Sequence, residues 1–234
     1  LPTYLEINYP QDEYGPDKYP QKLCNYLTEH YFRKEDDLAK VLLDIGSGRG
    51  NHLVGFARNG MIAKGIDKTK ETLDILSGFD IRECDLEKDL FPFEGNHFDF
   101  VFSKSVLEHV CNTDNAIRET YRVLKPGGIT VQLTPDWATD YKIFWDDPTH
   151  VRPFTQKGLK QAFLLHNFIE VNCERFYQLP FLWKYPSLTF ITHIIALLPD
   201  SLKWKDNAQR VQRILIRHAK ERMLLLSARK PYQK

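Results

Sequence analysis

The 234-residue sequence lacks any apolar run as long as the roughly 18 to 20 residues that cross a bilayer, and it opens without a charged segment followed by an apolar one. Neither a transmembrane segment nor an export signal is expected, and a cytoplasmic location fits. Cysteine is sparse. Cys24, Cys84, Cys111 and Cys173 lie far apart and form no C-x-x-C pair, which argues against a zinc site or a redox dithiol and suits a reducing compartment. Charge of one sign is missing too: lysine and arginine number 32 against 31 acids, so no global field draws in nucleic acid. Internal repeats and low-complexity tracts are absent. What is present is enough apolar content, 42%, to bury a core, in a length suited to one domain over 1–234. The chain starts at Leu1 rather than methionine, as a processed chain or one domain of a larger polypeptide would.

Residues 1–40 read as an N-terminal cap, with Pro2, Pro10, Pro16 and Pro20 among tyrosines and a helix over 21–32, where Leu23, Tyr26, Leu27 and Tyr31 recur at helical spacing. From Val41 the pattern changes to short apolar runs separated by helix-length segments: 41–45, 63–66, 79–83, 98–102 and 129–134. Strands alternating with helices predict a parallel α/β sheet. A helix over 115–124 precedes Lys125-Pro126-Gly127-Gly128, which reads as a turn before the fifth strand. An irregular stretch over 135–154 leads to a helix over 156–166. Strands over 169–176 and 223–229 then close the sheet as an antiparallel pair. The core is thus 41–179 with 221–230, and a helical insertion occupies 180–220.

The first strand runs straight into Gly46-Ser47-Gly48-Arg49-Gly50, at the carboxyl end where open α/β sheets bind ligands. Alone this is a weak motif that also fits a plain strand-to-helix turn. Asp67 ends the second strand seventeen positions past Gly50, where its carboxylate can accept both hydroxyls of a ribose. A dinucleotide site shares that acid, but its fingerprint is G-x-G-x-x-G, whereas the spacing here is G-x-G-x-G. Asp44, two residues before the turn, would repel a pyrophosphate yet suit a cationic amino group. The third strand leads to Cys84-Asp85-Leu86, in which Asp85 can accept an adenine amine while the next backbone N–H serves a ring nitrogen, or else caps a turn.

Taken together, Asp44 to Gly50, Asp67, Asp85, the stretch from Phe98 to Val110 with its V-L-E-H-V, and Arg122-Val123-Leu124-Lys125-Pro126-Gly127-Gly128 resemble the class I S-adenosylmethionine-dependent methyltransferases. The likeness is dense over 41–134 and loose in the closing strands. It implies a Rossmann-like α/β fold with a mainly parallel seven-stranded sheet flanked by helices, and S-adenosylmethionine as cofactor. Carried over by position, it implies that Asp44, Gly46, Ser47 and Gly48 hold the amino-acid part, Asp67 and Lys68 the ribose, Asp85 and Leu86 the adenine, and that Ser103 faces the methionine. His109 either borders the adenine or packs beside a helix start.

Fold does not name the methyl acceptor. The stretch from Asp140 to Thr155, which follows the fifth strand, is dense in acids and aromatics. Rings cover the apolar faces of sugars while carboxylates bond their hydroxyls, which places Asp136, Trp145, Asp146 and Arg152 in an acceptor site. Arg152 would grip an anionic group or pair with Asp146 or Asp147. His150 with Asp147 forms the candidate catalytic pair, since an imidazole titrates near neutrality and suits a general base; the plain alternative is a loop organiser. Magnesium on Asp136, Asp146 and Asp147 is a less favoured option. The D-Y-K-x-F-W-D-D-x-T-H-V-R-P-F-T run resembles methyltransferases of polysaccharide and glycan assembly, as in larger proteins of large algal viruses. That likeness implies O-methylation of a sugar hydroxyl. The rival readings are methylation of a small-molecule or lipid hydroxyl and a non-catalytic cofactor-binding module.

Within the insertion the segment 188–198 is almost wholly apolar and is expected to roof the pocket as a buried helix, the alternative being a partner or lipid surface. From Lys203 to Lys234 ten lysines and arginines face two acids, with Arg210, Arg213 and Arg217 at helical spacing, so peripheral contact with an anionic membrane is also open.

Overall fold

The computed structural model describes residues 19–32, 39–206, 211–212 and 214–232. Much of the cap at 1–40, and Arg210 and Arg213 of the basic stripe, lie outside the described residues. Strands β1 (Val41–Ile45), β2 (Ile62–Asp67), β3 (Asp80–Glu83), β4 (Phe98–Lys104), β5 (Leu124–Pro135), β6 (Ile169–Phe176) and β9 (Met223–Arg229) form one sheet in the order β3-β2-β1-β4-β5-β9-β6. A separate hairpin pairs β7 (Trp204–Asp206) with β8 (Val211–Gln212). β1 to β5 pair in parallel, and β9 runs antiparallel between β5 and β6. The expected seven-stranded Rossmann-like sheet is the observed one.

Helices α1 (Tyr19–Leu27), α2 (Asn51–Arg58), α3 (Lys70–Ile75), α4 (Thr113–Val123), α5 (Trp137–Asp140) and α6 (Gln156–Leu165) accompany the core. The insertion supplies α7 (Pro180–Lys184), α8 (Thr189–Ala196) and α9 (Ile214–Lys220). Side-chain alternation along the central strands feeds two apolar layers. On one side Val101, Leu224 and Leu226 meet Ile117 of α4 and Leu159 and Phe163 of α6. On the other, Phe100, Phe102 and Leu225 meet Leu23 and Leu27 of α1 and Phe56 of α2. The central strands are buried on both faces, as parallel sheets require, which explains why their runs are apolar without a polar face. Asn112 caps α4 by accepting from Asn115 N–H, and Thr155 caps α6 by accepting from Gly158 N–H.

Three expectations are corrected. The helix expected over 21–32 ends at Leu27 and widens into a π-helical turn over Thr28–Phe32. Lys125 to Gly128 is a bulged start of β5 rather than a turn: pairing passes from Phe98 with Leu124 directly to Phe100 with Ile129. Gly127 there takes φ 78° and donates its N–H to Lys230 O. Finally, the apolar helix of the insertion is not buried. Thr192 is the buried residue of α8, while Ile194 is 62% and the following Leu197 85% exposed. Packed chiefly on α9, the helix buries Thr192 and leaves its apolar Phe190, Ile194 and Leu197 side without a cover.

Leu225→Ala, which opens a cavity between the layers, is expected to cost about 2–5 kcal/mol in urea unfolding. Ile194→Ala should shift stability by no more than about 0.5 kcal/mol, and a loss as large as that of Leu225→Ala would place α8 in the core after all.

Candidate active site

β1 passes into α2 through Gly46 to Gly50, where Gly46, Gly48 and Gly50 adopt φ of 68°, 50° and 72°. Three left-handed residues at alternate positions explain the G-x-G-x-G spacing without appeal to a ligand. Packing adds a second reason: a Cβ on Gly46 would lie 2.4 Å from a Val106 methyl, and one on Gly50 2.4 Å from a Leu76 methyl. The turn is tied to β2. Gly46 and Ser47 N–H both donate to Ile66 O, at 2.8 and 3.2 Å, and Gly48 N–H donates to Asp67 Oδ2 at 2.9 Å. The Ser47 hydroxyl donates to Asp44 O at 2.9 Å.

Asp67, expected to hold a ribose, thus braces the turn. Its Oδ1 also accepts from Thr69 N–H at 2.9 Å and from Thr69 Oγ1 at 2.6 Å. The chain's own donors take three of the roughly four acceptor sites of a carboxylate, so gripping both ribose hydroxyls requires one of them to give way. Asp44 is 2% exposed, and its Oδ2 is buried with no hydrogen-bond partner. Burial, aided by the charge of Asp67, pushes its carboxyl well above the ordinary value, against a bond from Leu53 N–H. A cationic amino group is the partner that such an acid lacks. Together with glycines that leave no Cβ in the turn, this buried acceptor fits the amino-acid end of S-adenosylmethionine.

Asp85 closes a local turn. Its Oδ1 accepts from Glu87 N–H at 3.1 Å and its Oδ2 pairs with Lys88 at 3.2 Å, and the Glu87 bond with the charges of Lys88 and the exposed Lys68 holds the carboxyl below its usual range. Leu86 O accepts from Asn115 Nδ2 of α4. Ser103, expected to face the methionine, is 1% exposed within the sheet, opposite Ile45 and Gln132. Ser105 breaks the strand with φ 57°, and the side chain that reaches the glycine turn is Val106. No residue pattern in the V-L-E-H-V stretch distinguishes which valine would do so.

Beyond β4 lies a set of buried ionisable groups that sequence reasoning missed. Glu108, in the turn Leu107–His109, is pushed up to about 7 by burial, against a bond from Thr134 Oγ1 at 2.9 Å and the charge of Lys104. Burial pushes Lys104 down to about 8. His52 in the first turn of α2 falls to about 3 through burial and the Lys104 charge, and His218 of α9 to about 4 through burial and Arg217. Glu108 Oε1, His52 Nε2 and His218 Nδ1 are buried without a hydrogen-bond partner. Perturbed groups of this kind gather at functional sites. Glu108 was visible as part of a motif, but nothing in the sequence brings His218 here from the insertion.

The acceptor stretch separates into structural and available groups. Asp136, expected to touch the acceptor, is 0% exposed; it accepts from Ala138 N–H at 3.1 Å, capping α5, and pairs with Arg175 at 2.7 Å. The trio considered for magnesium is therefore not gathered, because Asp136 is held in the interior by Arg175 while Asp146 is exposed. Among the described residues the group whose ligand atoms come within 4.8 Å of one another is Glu108, His109 and His150. Asp147 Oδ1 accepts from Thr149 N–H at 2.9 Å and from its hydroxyl at 2.6 Å. With its proton so committed, Thr149 Oγ1 accepts from His109 Nδ1 at 2.9 Å. His150 Nδ1 donates to Phe144 O at 2.6 Å. Both neutral imidazoles consequently carry the proton on Nδ1 and the lone pair on Nε2, with the rings 4.7 Å apart. Trp145 stands 56% exposed, edge-on to Trp137 and Phe144, and Tyr141 is exposed beside them. Arg152 donates to Cys111 O at 3.2 Å and lies over the Phe154 ring.

Residues 43–131 match the model of a family described as a methyltransferase domain. A ubiquinone/menaquinone biosynthesis C-methyltransferase of Xanthomonas campestris is 33% identical over 106 residues, 43% of this chain and 41% of that protein. The chain thus spans under half the length of that curated relative. Among solved structures, an S-adenosylmethionine-dependent methyltransferase from Archaeoglobus fulgidus superposes with a TM-score of 0.62 at 20% identity, covering 90% of this chain and 94% of that one. A Haemonchus contortus phosphoethanolamine N-methyltransferase, solved with phosphomonomethylethanolamine and S-adenosylhomocysteine, gives 0.63 at 18% identity, covering 93% and 54%. The fold is that of the class I methyltransferases, and the matched segment is the part that carries the glycine turn, Asp67, Asp85 and Glu108.

A carboxyl raised on folding binds its proton in the native state when the unfolded chain has lost it, so its contribution to stability falls as pH rises from the ordinary glutamate value of 4.5 to about 7. The melting temperature of the unliganded protein relative to Glu108→Gln should fall across that window. A constant difference would show that Glu108 ionises normally.

Proposed function

We propose that this chain is an S-adenosylmethionine-dependent methyltransferase that O-methylates a sugar hydroxyl of a glycan or glycan precursor, as a domain of a larger chain or by itself. The observation that carries the reading is His150, whose Nδ1–H is fixed on Phe144 O so that Nε2 is the basic nitrogen, beside exposed Trp145 and Tyr141. The cofactor, when bound, supplies an electrophilic methyl group on a cationic sulfur. Asp44 would hold its amino group, the glycine turn would pass along its amino-acid part, and Asp67 and Lys68 would meet its ribose. Asp85 and Leu86 lie at the end of β3, where the adenine is expected. Methyl transfer is an in-line displacement, so positioning is the main demand on the protein. His150 would accept the proton that the acceptor hydroxyl sheds as its oxygen bonds carbon. Asp147 acts one step removed, orienting Thr149 and through it His109. Trp145 and Tyr141 would cover the apolar face of a sugar ring, with Asp146 and Arg152 at its hydroxyls.

His150→Ala should lower turnover about 10²–10⁴-fold while S-adenosylhomocysteine affinity, read by calorimetry, stays put. Near-normal turnover would leave His150 as a loop organiser. Asp44→Asn should weaken S-adenosylhomocysteine binding by about 1.5–3 kcal/mol, the usual worth of a hydrogen bond to a charged group. Oligosaccharides supplied with methyl-labelled cofactor should take up label; cofactor binding with no labelled sugar, against labelled lipid or small alcohols, would overturn the acceptor.

A further inference from the structure

The insertion presents an apolar surface for which the fold has no use. Phe190, Ile194 and Leu197 recur along α8 and its end at i, i+4 and i+7, forming one exposed stripe with Ile191 and Leu198 beside it. Ile214 and Leu215, at the start of α9, are exposed as well, and α8 and α9 lie against each other with Lys220 Nζ donating to Ala196 O at 2.9 Å. Phe181 and Tyr185 extend the exposed set along α7. A contiguous apolar surface of this kind marks a contact that is made elsewhere than in the core.

Charge decides which contact. Residues 180–221 carry seven lysines and arginines against three acids, Asp200, Asp206 and Glu221, the last pairing with Lys203 and Arg217, and α8 contains no acid. Asp200 is already surrounded by cations: Lys220 at 3.0 Å, Lys142 at 3.4 Å and Lys203 at 3.9 Å. Lys184 is exposed at the apolar face, over the Tyr185 ring. A second copy related by a two-fold axis would bring the same basic set against itself. An anionic lipid surface matches both properties at once, acyl chains for the stripe and headgroups for the cations.

We propose that α8 and the start of α9 dock this protein on an anionic bilayer surface, with Phe190, Ile194 and Leu197 below the headgroups and Lys184 among them. The helix lies on the membrane, since among the described residues no helix is long and apolar enough to cross one. Ion pairs couple this face to the acceptor stretch: Lys142 to Asp200, and Lys203 to Glu221, whose neighbour Arg222 donates its N–H to Thr139 Oγ1 at 3.2 Å and Asp140 Oδ1 at 3.3 Å. Docking would therefore bring the acceptor stretch toward the bilayer. Docking of this face does not depend on methyl transfer and is measured without any acceptor.

The test is flotation of the full chain with phosphatidylglycerol–phosphatidylcholine vesicles and with phosphatidylcholine alone. Retention is expected on the anionic vesicles at about 0.1 M salt and should weaken at about 1 M, where the Debye length falls from about 10 to about 3 Å. The double variant Ile194→Asp, Leu197→Asp should lose retention about tenfold or more while keeping the melting temperature and S-adenosylhomocysteine affinity of the parent. Leu165→Asp, at an exposed leucine of α6, should be retained like the parent. Absence of retention by the parent, or equal retention of the double variant, overturns the proposal. So does a dimer in sedimentation that the double variant dissociates without any vesicle binding, which would assign the face to a second copy.

Discussion

The bond from Gly48 N–H to the Asp67 carboxylate joins the two strand ends on which the site depends. It sets the glycine turn against β2, aided by the two N–H groups that converge on Ile66 O. The same carboxylate places a negative charge beside Asp44, which is buried and lacks a partner for one oxygen. Two acids near each other in the interior are costly unless one is neutral or a cation arrives. The turn is thus assembled in advance while Asp44 stays unsatisfied, a division that favours a ligand with a fixed positive charge over a dinucleotide phosphate.

A second tension sits at the end of β4. Lys104 and Glu108 are drawn toward each other's ordinary range by burial, one down and the other up, and the Lys104 charge also lowers histidines from two different elements, His52 and His218. The acceptor stretch closes over this region through backbone contacts, with Val151 and Arg152 N–H both donating to Glu108 O. His150 of this stretch and His109 of the turn beneath it have their protons fixed on Nδ1 by carbonyl or hydroxyl acceptors, so proton-accepting capacity is confined to one nitrogen of each ring. Rigid tautomers prepare this part of the site.

The insertion joins these parts to the surface. Its inner side contributes His218 and the Lys203–Glu221–Arg217 ion pairs, while its outer side is apolar and exposed. One short segment therefore touches both the buried ionisable cluster and the solvent.

The strand positions, the parallel class and the G-x-G-x-G turn were legible because they rest on local facts: periodicity along strands, and φ values that only glycine adopts cheaply. The place of Asp44 was legible for the same reason, being fixed in register beside the turn. The sequence could not assign Asp136, since its role comes from Arg175, thirty-nine positions away and brought near by β6. Nor could it show that Val106 reaches the glycine turn, because a left-handed Ser105 redirects the chain just before it. The apolar run in the insertion was plain to see, but whether it is covered depends on how many neighbours surround it. By itself the sequence determined which backbone shapes and which alternating faces were possible; the tertiary structure alone decided which buried charges meet and which apolar face stays uncovered, because desolvation and Coulomb energies depend on distance in space and not along the chain.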